Sequence, residues 1–411
     1  MLTEALDVPS GPTPAPELGR QRSRRAGIYV HFPWCLAKCP YCDFVSYVSP
    51  GAIDHRGYAD AVLRELDERA PLLEGRQVES VFFGGGTPSL WDAKELGRVL
   101  AGVRGAFAAG LGDSVEVTVE CNPTSLDENV AGALACAGVN RVSIGVQSLN
   151  DERLRFLGRL HDARGAVEAV RGAVRAGVPR ISADLIFGLP GQLPSEARDE
   201  AVALADLGLS HVSCYQLTIE AGTRFGELAR RGRLPLADDG AVAEAFVVIG
   251  EAMSSRGLGH YEVSNYARPG QEARHNLGYW RGDEYLGLGC GAYGFARTHG
   301  PDEPARGVRW RNAVVPERYL DGDALAQESR ETLDGQTLLR ERIMLGLRVG
   351  EGVDLADAAR DLGLEQEGWT PARERACAWL VAHGRVVREG ARVRSSPAAW
   401  LWVDDTAARL F

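Results

Sequence analysis

The spacing of apolar positions changes period along the chain. Six short runs rich in β-branched and aromatic residues are Gly27–His31, Ser80–Phe83, Val115–Glu120, Arg141–Val146, Ile181–Phe187 and His211–Leu217. Between them lie amphipathic stretches of helical period, among them Gly57–Ala70, Ala93–Phe107, Ala163–Ala176 and Ser195–Leu207. Such alternation predicts parallel βαβ units. Six units over residues 26–260 make an α/β fold, an incomplete parallel (β/α)6 TIM-like barrel. Residues 260–320 are rich in Gly, Tyr, Trp and Arg with little periodicity, and 261–330 are read as a connecting segment. Helical patterns return at Leu338–Leu347, Leu355–Leu362 and Pro371–His383. Val386-Val387 and Val393 around Glu389-Gly390 read as a hairpin, followed by a final helix. Residues 331–411 are therefore expected to form a small helical, winged-helix-like C-terminal domain.

The polar and glycine-rich residues fall just after the strand runs. Cys35 follows the first, Gly84-Gly85-Gly86-Thr87 the second, Glu120-Cys121-Asn122-Pro123 the third and Gln147 the fourth. Barrels of this shape carry their sites at the C-terminal ends of their strands. Chemistry aimed at one rim is the expectation.

The 411 residues, 45% hydrophobic and 25% charged, are of ordinary globular composition, and the formal net charge of −10 argues against a nucleic-acid surface. No apolar run is long enough to span a bilayer, and no secretory signal pattern follows Met1. Residues 1–25, Pro-rich and polar, read as a disordered extension, and the expected location is cytoplasmic. Eight cysteines with three clustered do not make a disulfide framework. Most of the scattered five, Cys121, Cys136, Cys214, Cys290 and Cys377, are expected to be buried small hydrophobes.

Cys35, Cys39 and Cys42, spaced C-x3-C-x2-C on one loop, supply three thiolates for three irons of a [4Fe–4S] cubane. The fourth iron would be open to the amino and carboxylate groups of S-adenosylmethionine. A Cys3His zinc site with His31 is the competing reading, disfavoured because structural zinc sites split their ligands into separated pairs. The glycine run lets a ligand approach the backbone closely, although a tight turn explains it equally well. Glu120, Gln147, Arg159 and Asp184 lie at or just after successive strand ends. Asp184, inside an apolar run, must be paired: either with an arginine closing the rim, or with cofactor hydroxyls while Arg159 faces the cofactor carboxylate.

Taken in order, these motifs carry a resemblance. The series is Tyr29-Val30-His31-Phe32-Pro33-Trp34-Cys35, the cysteine spacing, Gly84-Gly85-Gly86-Thr87-Pro88-Ser89, Glu120-Cys121-Asn122-Pro123, Ser143-Ile144-Gly145-Val146-Gln147-Ser148 and Asp184-Leu185-Ile186-Phe187-Gly188-Leu189-Pro190-Gly191-Gln192. From about residue 26 onward it resembles the radical-SAM oxygen-independent coproporphyrinogen III oxidase family. True oxidases of that family have a further cysteine two residues after the third, where this chain has Phe44. His275-Asn276-Leu277-Gly278-Tyr279-Trp280 is similar to the motif of the haem-chaperone branch, as is the stretch Gly259–Ala267. The resemblance implies that Tyr29, Tyr41, Phe44, Gly86, Thr87, Glu120, Gln147, Arg159 and Asp184 bind the cluster's cofactor, S-adenosylmethionine. It makes His275 a candidate haem ligand, with Tyr279 and Trp280 stacking on the porphyrin or closing its site. The expected role is to bind haem and pass it to an acceptor, a respiratory haem protein at the membrane. The rival is oxidative decarboxylation of coproporphyrinogen III. One departure stands out: the family's Gly-Pro-Gly-Ala-His-Ser is here Gly289-Cys290-Gly291-Ala292-Tyr293-Gly294, a histidine lost and a cysteine gained. That cysteine is expected to be a packed thiol.

Overall fold

A computed structural model describes residues 25–49, 51–298, 305–321 and 327–411. The expected disordered extension lies outside the described residues, apart from Arg25, which opens the first strand. Strands β1 (Arg25–Phe32), β2 (Gln77–Gly85), β3 (Leu111–Cys121), β4 (Arg141–Gln147), β5 (Arg180–Phe187) and β6 (His211–Gln216) lie side by side in that order. Each is parallel to the next. They are the six predicted runs, most of them longer by a few residues. Between them run α1 (His55–Arg69), α2 (Ala93–Ala106), α3 (Glu128–Cys136), α4 (Asp151–Phe156), α5 (Ala163–Arg175) and α6 (Pro194–Ala205). Asp54, Asp92, Asp127, Asn150 and Asp162 cap the first five by accepting backbone N–H bonds, so each loop turns sharply into its helix.

Side chains alternate across each strand. Val115, Val117 and Val119 of β3 join the apolar core beneath the helices, with Ile28, Val30, Val81, Phe83, Val142, Ile144, Ala183 and Val212 from its neighbours. The other face carries Glu116, Thr118 and Glu120, beside Ser80, Ser143, Asp184 and Ser213. The barrel is thus apolar outside and polar inside.

The segment without clear periodicity extends this sheet at both edges. It holds β7 (Gly259–Glu262), β8 (Asn265–Ala267), β9 (Glu284–Leu288), β10 (Tyr293–Thr298), β11 (Arg306–Asn312) and β12 (Gln327–Leu333). β8 and β7 add antiparallel beyond β6. β9 pairs parallel with the free edge of β1, and β10, β11 and β12 follow antiparallel, giving a twelve-stranded sheet. Helices α7 (Arg224–Arg230), α8 (Asp239–Ser254), α9 (Arg274–Trp280) and α10 (Pro316–Leu320) complete this part.

The C-terminal region runs α11 (Gly335–Gly346), β13 (Val353–Asp354), α12 (Leu355–Asp361), α13 (Pro371–Ala382), β14 (Val386–Glu389), β15 (Arg392–Ser395) and α14 (Val403–Arg409). Helix, strand, two helices and two strands in a sheet ordered β13-β15-β14 is winged-helix topology. Leu339, Ile343, Leu355, Cys377, Leu380 and Val393 form its own core. It touches both ends of the large sheet. Val263 N donates to Arg348 O at 2.9 Å on one side, and Arg309 pairs with Glu341 at 2.8 Å on the other. The lateral gap of the incomplete barrel is bridged there.

A buried polar knot fastens the added strands to the barrel. Glu65, fully buried on α1, ion-pairs with Arg69 at 2.8 Å and accepts bonds from Gly289 N, Asn312 Nδ2 and Tyr319 Oη. Removing one member of such a pair leaves an uncompensated buried charge. Glu65→Ala is therefore expected to destabilise the protein by about 3–5 kcal/mol, measured by urea unfolding.

Candidate functional site

The loop leaving β1 carries the three cysteines, all partly exposed at the C-terminal rim. Trp34–Cys35 and Tyr47–Val48 pair as a short parallel ladder that closes the loop's base. Lys38 Nζ reaches inward to the carbonyls of Phe44 and Ser46, both at 3.2 Å. The thiols have polar neighbours: Thr87 Oγ1 donates to Cys35 Sγ at 3.3 Å, Arg159 Nη1 to Cys39 Sγ at 3.4 Å, and Ser46 Oγ lies 3.9 Å from Cys42 Sγ. Burial pushes the Cys35 and Cys42 thiols above their ordinary range. Among the described residues no three His, Cys, Asp or Glu side chains are grouped to hold a single metal ion. A cubane asks for a wider triangle, since each thiolate binds a different iron. His31 is no fourth ligand in this arrangement, because Nδ1 bonds Tyr29 Oη at 3.0 Å and Nε2 bonds Val45 O at 2.7 Å.

The glycine run has a reason inside the chain itself. Gly85 has φ +109°, and a Cβ there would come within 2.4 Å of the His31 ring; one on Gly86 would meet Trp34 O at 2.7 Å. Their missing side chains let the end of β2 lie against the end of β1. Gly85 N in turn donates to Glu120 Oε2 at 3.0 Å.

Glu120, Gln147 and Asp184 face the interior at the ends of β3, β4 and β5, and Arg159 arrives from the loop after α4. Burial raises the Glu120 carboxyl to about 7, with Asp184 nearby adding to it. Asp184 is likewise raised by burial. Its partners are not arginines: Ser143 Oγ donates to both its oxygens at 3.1 Å, and Ser213 also bonds it. Of the two pairings open to Asp184, the arginine bridge across the rim is not formed among the described residues. Arg159 donates through Nη2 to Gly145 O at 3.0 Å, while its buried Nε has no partner. Gln147 has φ +67°, the only positive value for a non-glycine among the described residues. Acceptors suited to an ammonium and hydroxyls thus stand beside a guanidinium suited to a carboxylate. Cys39, Thr87, Asn122, Thr124 and Arg159 line a shallow, solvent-open cleft next to them. Ser143 and Ser213 escaped the sequence reading, although strict alternation on β4 and β6 points both the same way as Gln147 and Tyr215.

Tyr41 packs with Leu157, Ile186 and Leu189 and lies against Cys39 and Arg159 at the site, whereas Phe44 is 60% exposed. His275 is at the opposite, N-terminal end of the barrel. Its Nδ1 bonds Ser80 Oγ at 2.8 Å, its Nε2 bonds Tyr279 Oη at 3.0 Å, and its N–H donates to Glu116. The ring stacks on Phe82 at 4.9 Å, and burial lowers its pKa to about 3. Trp280 bonds the buried Glu262. The six-residue motif is a floor under the barrel, and the ring of Tyr29 lies 6.3 Å from that of His275. Four of the five scattered cysteines are buried, and Cys136 is exposed. Cys290 is a packed thiol: it donates to Val314 O at 2.9 Å, and burial pushes it up to about 12.

Residues 29–205 match the Radical SAM superfamily, and residues 333–402 match the HemN C-terminal domain. The chain is 36% identical over 351 residues to the Escherichia coli protein named Heme chaperone HemW, covering 85% of this chain and 90% of that one. It belongs to the HemW family of radical-SAM proteins. Another relative, 37% identical over 84% of this chain and 78% of its own, is the Bos taurus radical S-adenosyl methionine domain-containing protein 1, mitochondrial. The fold is shared with coproporphyrinogen III oxidase (HemN) from E. coli, with a TM-score of 0.76 at 21% identity over 94% of this chain and 90% of that one. This HemW-family chain therefore has an incomplete radical-SAM barrel carrying a winged-helix-like domain.

Two measurements probe the rim. A left-handed non-glycine residue costs roughly 1 kcal/mol, so Gln147→Gly is expected to be more stable than Gln147→Ala by about that much in urea melts, despite glycine's looser unfolded chain. Glu120 is raised from 4.5 to about 7, so folding favours its protonated form. The stability it contributes at low pH is lost as pH rises through about 7. Glu65, Glu262 and Asp283 are shifted the same way by burial. Glu120→Gln should therefore flatten, without abolishing, the fall in stability of cluster-free protein between pH 5 and pH 7.5, by roughly 1–3 kcal/mol.

Proposed function

We propose that this protein is a haem chaperone, binding haem and passing it to an acceptor haem protein, with a [4Fe–4S] cluster and exchangeable S-adenosylmethionine at the barrel rim. The observation that carries the reading is 36% identity over 85% of the chain to a protein named Heme chaperone HemW. Cys35, Cys39 and Cys42 would hold the cluster, leaving one iron open to the amino and carboxylate groups of the cofactor. Bound there, the cluster supplies an electron-transfer centre next to a sulfonium. The chain's own residues do the rest. Glu120 and Asp184 would accept hydrogen bonds from ribose hydroxyls and ammonium, Arg159 with its unpartnered Nε would hold a carboxylate, and Gln147 is held in strained geometry at the same edge. Thr87 and Arg159, bonded to cysteine sulfurs, fix the positions of two ligands.

The oxidase alternative has less support, since Phe44 stands where true oxidases carry a further cysteine. A cytoplasmic setting suits three reduced thiols, and no helix among the described residues is long and apolar enough to cross a membrane. A respiratory haem protein is the acceptor this reading favours.

The deciding experiment incubates the anaerobically reconstituted full chain with coproporphyrinogen III, S-adenosylmethionine, reductant and an electron acceptor, and a parallel sample with haem. Stoichiometric haem uptake with no protoporphyrinogen IX is the expected result, and catalytic turnover to protoporphyrinogen IX would overturn it. Changing Cys35, Cys39 or Cys42 to Ser should each abolish iron–sulfur absorbance, and its survival in all three variants would refute the ligand assignment.

A further inference from the structure

Strand register puts an uncovered phenol and an unpaired cation on the concave face beside the cysteine loop. Tyr29 of β1 aligns with Gly287 of β9, and Tyr285 on the same face aligns with Phe295 of β10. Tyr293, two residues from Phe295, therefore shares that face, and so does Arg311 of β11, its cross-strand partner. Lower on this face the groups are taken. Phe295 is buried, Arg309 pairs with Glu331 and Glu341, and Arg297 pairs with Asp361. At the rim the pattern changes: Tyr293 is 46% exposed, and the Arg311 guanidinium lies 5.1 Å from its ring centroid. No carboxylate pairs with Arg311 among the described residues, whereas Arg297 and Arg309 each have one. The turn before Tyr293 packs on the cysteine loop, where a Cβ on Gly291 would meet Val45 at 2.8 Å. Tyr47 Oη, also from that loop, bonds Val314 O at 2.9 Å. Exposed Phe44 and Val48 add apolar surface on the same loop.

We propose that Tyr293 is the axial ligand of ferric haem bound on this rim, with Arg311 pairing a propionate of the macrocycle. The inference rests on the haem-chaperone reading and names the site where that cargo is held. A phenol oxygen is an established haem ligand type, and it gives up its proton as the Fe–O bond forms. The adjacent guanidinium offsets the resulting negative charge or that of the propionate. His275, by contrast, lies in the floor with both ring nitrogens bonded. A planar ring on the rim would contact Tyr293 and the apolar side chains of the cysteine loop without entering the packed interior.

The test titrates ferric haem into the anaerobically reconstituted full chain and into Tyr293→Phe, Arg311→Met and His275→Gln, each judged folded by retained iron–sulfur absorbance. Optical and electron paramagnetic resonance spectra are read beside the affinity. Tyr293→Phe should lose the ferric-phenolate signature and bind roughly tenfold more weakly, about 1.4 kcal/mol. Arg311→Met should keep the signature and lose affinity by a similar factor, and His275→Gln should keep the signature. A Tyr293→Phe spectrum identical to wild type, or loss of the signature only in His275→Gln, would overturn the assignment while leaving the chaperone reading intact. Failure of the wild-type chain to take up haem would instead overturn the chaperone reading, and the inference with it.

Discussion

A parallel barrel with a polar inner face is the constraint on which the rest of this structure depends. Its outer face is made of valine, isoleucine and phenylalanine and must be covered by helices. Its inner face carries charged and hydroxylic side chains, each costly to bury without a partner. Much of the lower half of the barrel meets that demand internally, although Arg180 Nε and Glu262 Oε1 have no hydrogen-bond partner there. Glu116 pairs with Arg180 at 2.7 Å, Ser182 with His211 at 2.7 Å, His211 with Tyr261 at 2.8 Å, and Ser80 with His275 at 2.8 Å. The upper half does not. Glu120 accepts from a single backbone donor, and Arg159 Nε finds no acceptor.

The incomplete barrel creates a second demand, because six strands cannot close on themselves and leave two edges. One edge of this sheet is continued by β7 and β8, the other by β9 to β12, and the winged-helix-like domain contacts both extensions. Glu65 shows how this addition is fixed. It joins α1 to the turn after β9 and to Asn312 and Tyr319, residues more than two hundred positions away. The interior stays reachable at the rim because the bracing lies lower on the face, at Phe295, Arg309 and Arg297.

The barrel and the gathering of Cys35, Cys39 and Cys42 on one rim loop were legible in the sequence because they rest on short-range signals. Val115–Glu120 alternates perfectly, and the cysteine spacing lies within one loop. The strands between 259 and 333 were not legible. Their alternating partners are charged or aromatic, as in Val308-Arg309-Trp310-Arg311, and pair with glutamates and rings that only the tertiary fold brings together. The glycine run was read as serving either ligand approach or a tight turn, and its tightest contacts are with His31 and Trp34 of the same chain. The environment of Asp184 also escaped, since Ser143 and Ser213 reach it through strand register rather than sequence proximity.

The same distinction bears on how the His275 motif contributes. Residues adjacent in sequence need not serve the site that makes them recognisable. For the imidazole to coordinate anything, it must give up its bond to Ser80 or to Tyr279, each worth about 0.5–1.5 kcal/mol and more if the partner is left buried and unpaired. A macrocycle would also have to part the rings of Tyr29, Phe82 and Tyr279 that enclose it. Left in place, the motif does something the rim requires. It fixes the stack on which Tyr29 rests, and Tyr29 fixes His31, whose far nitrogen holds Val45 in the cysteine loop. The floor thus sets the geometry of the loop above it through one continuous chain of packed rings and hydrogen bonds.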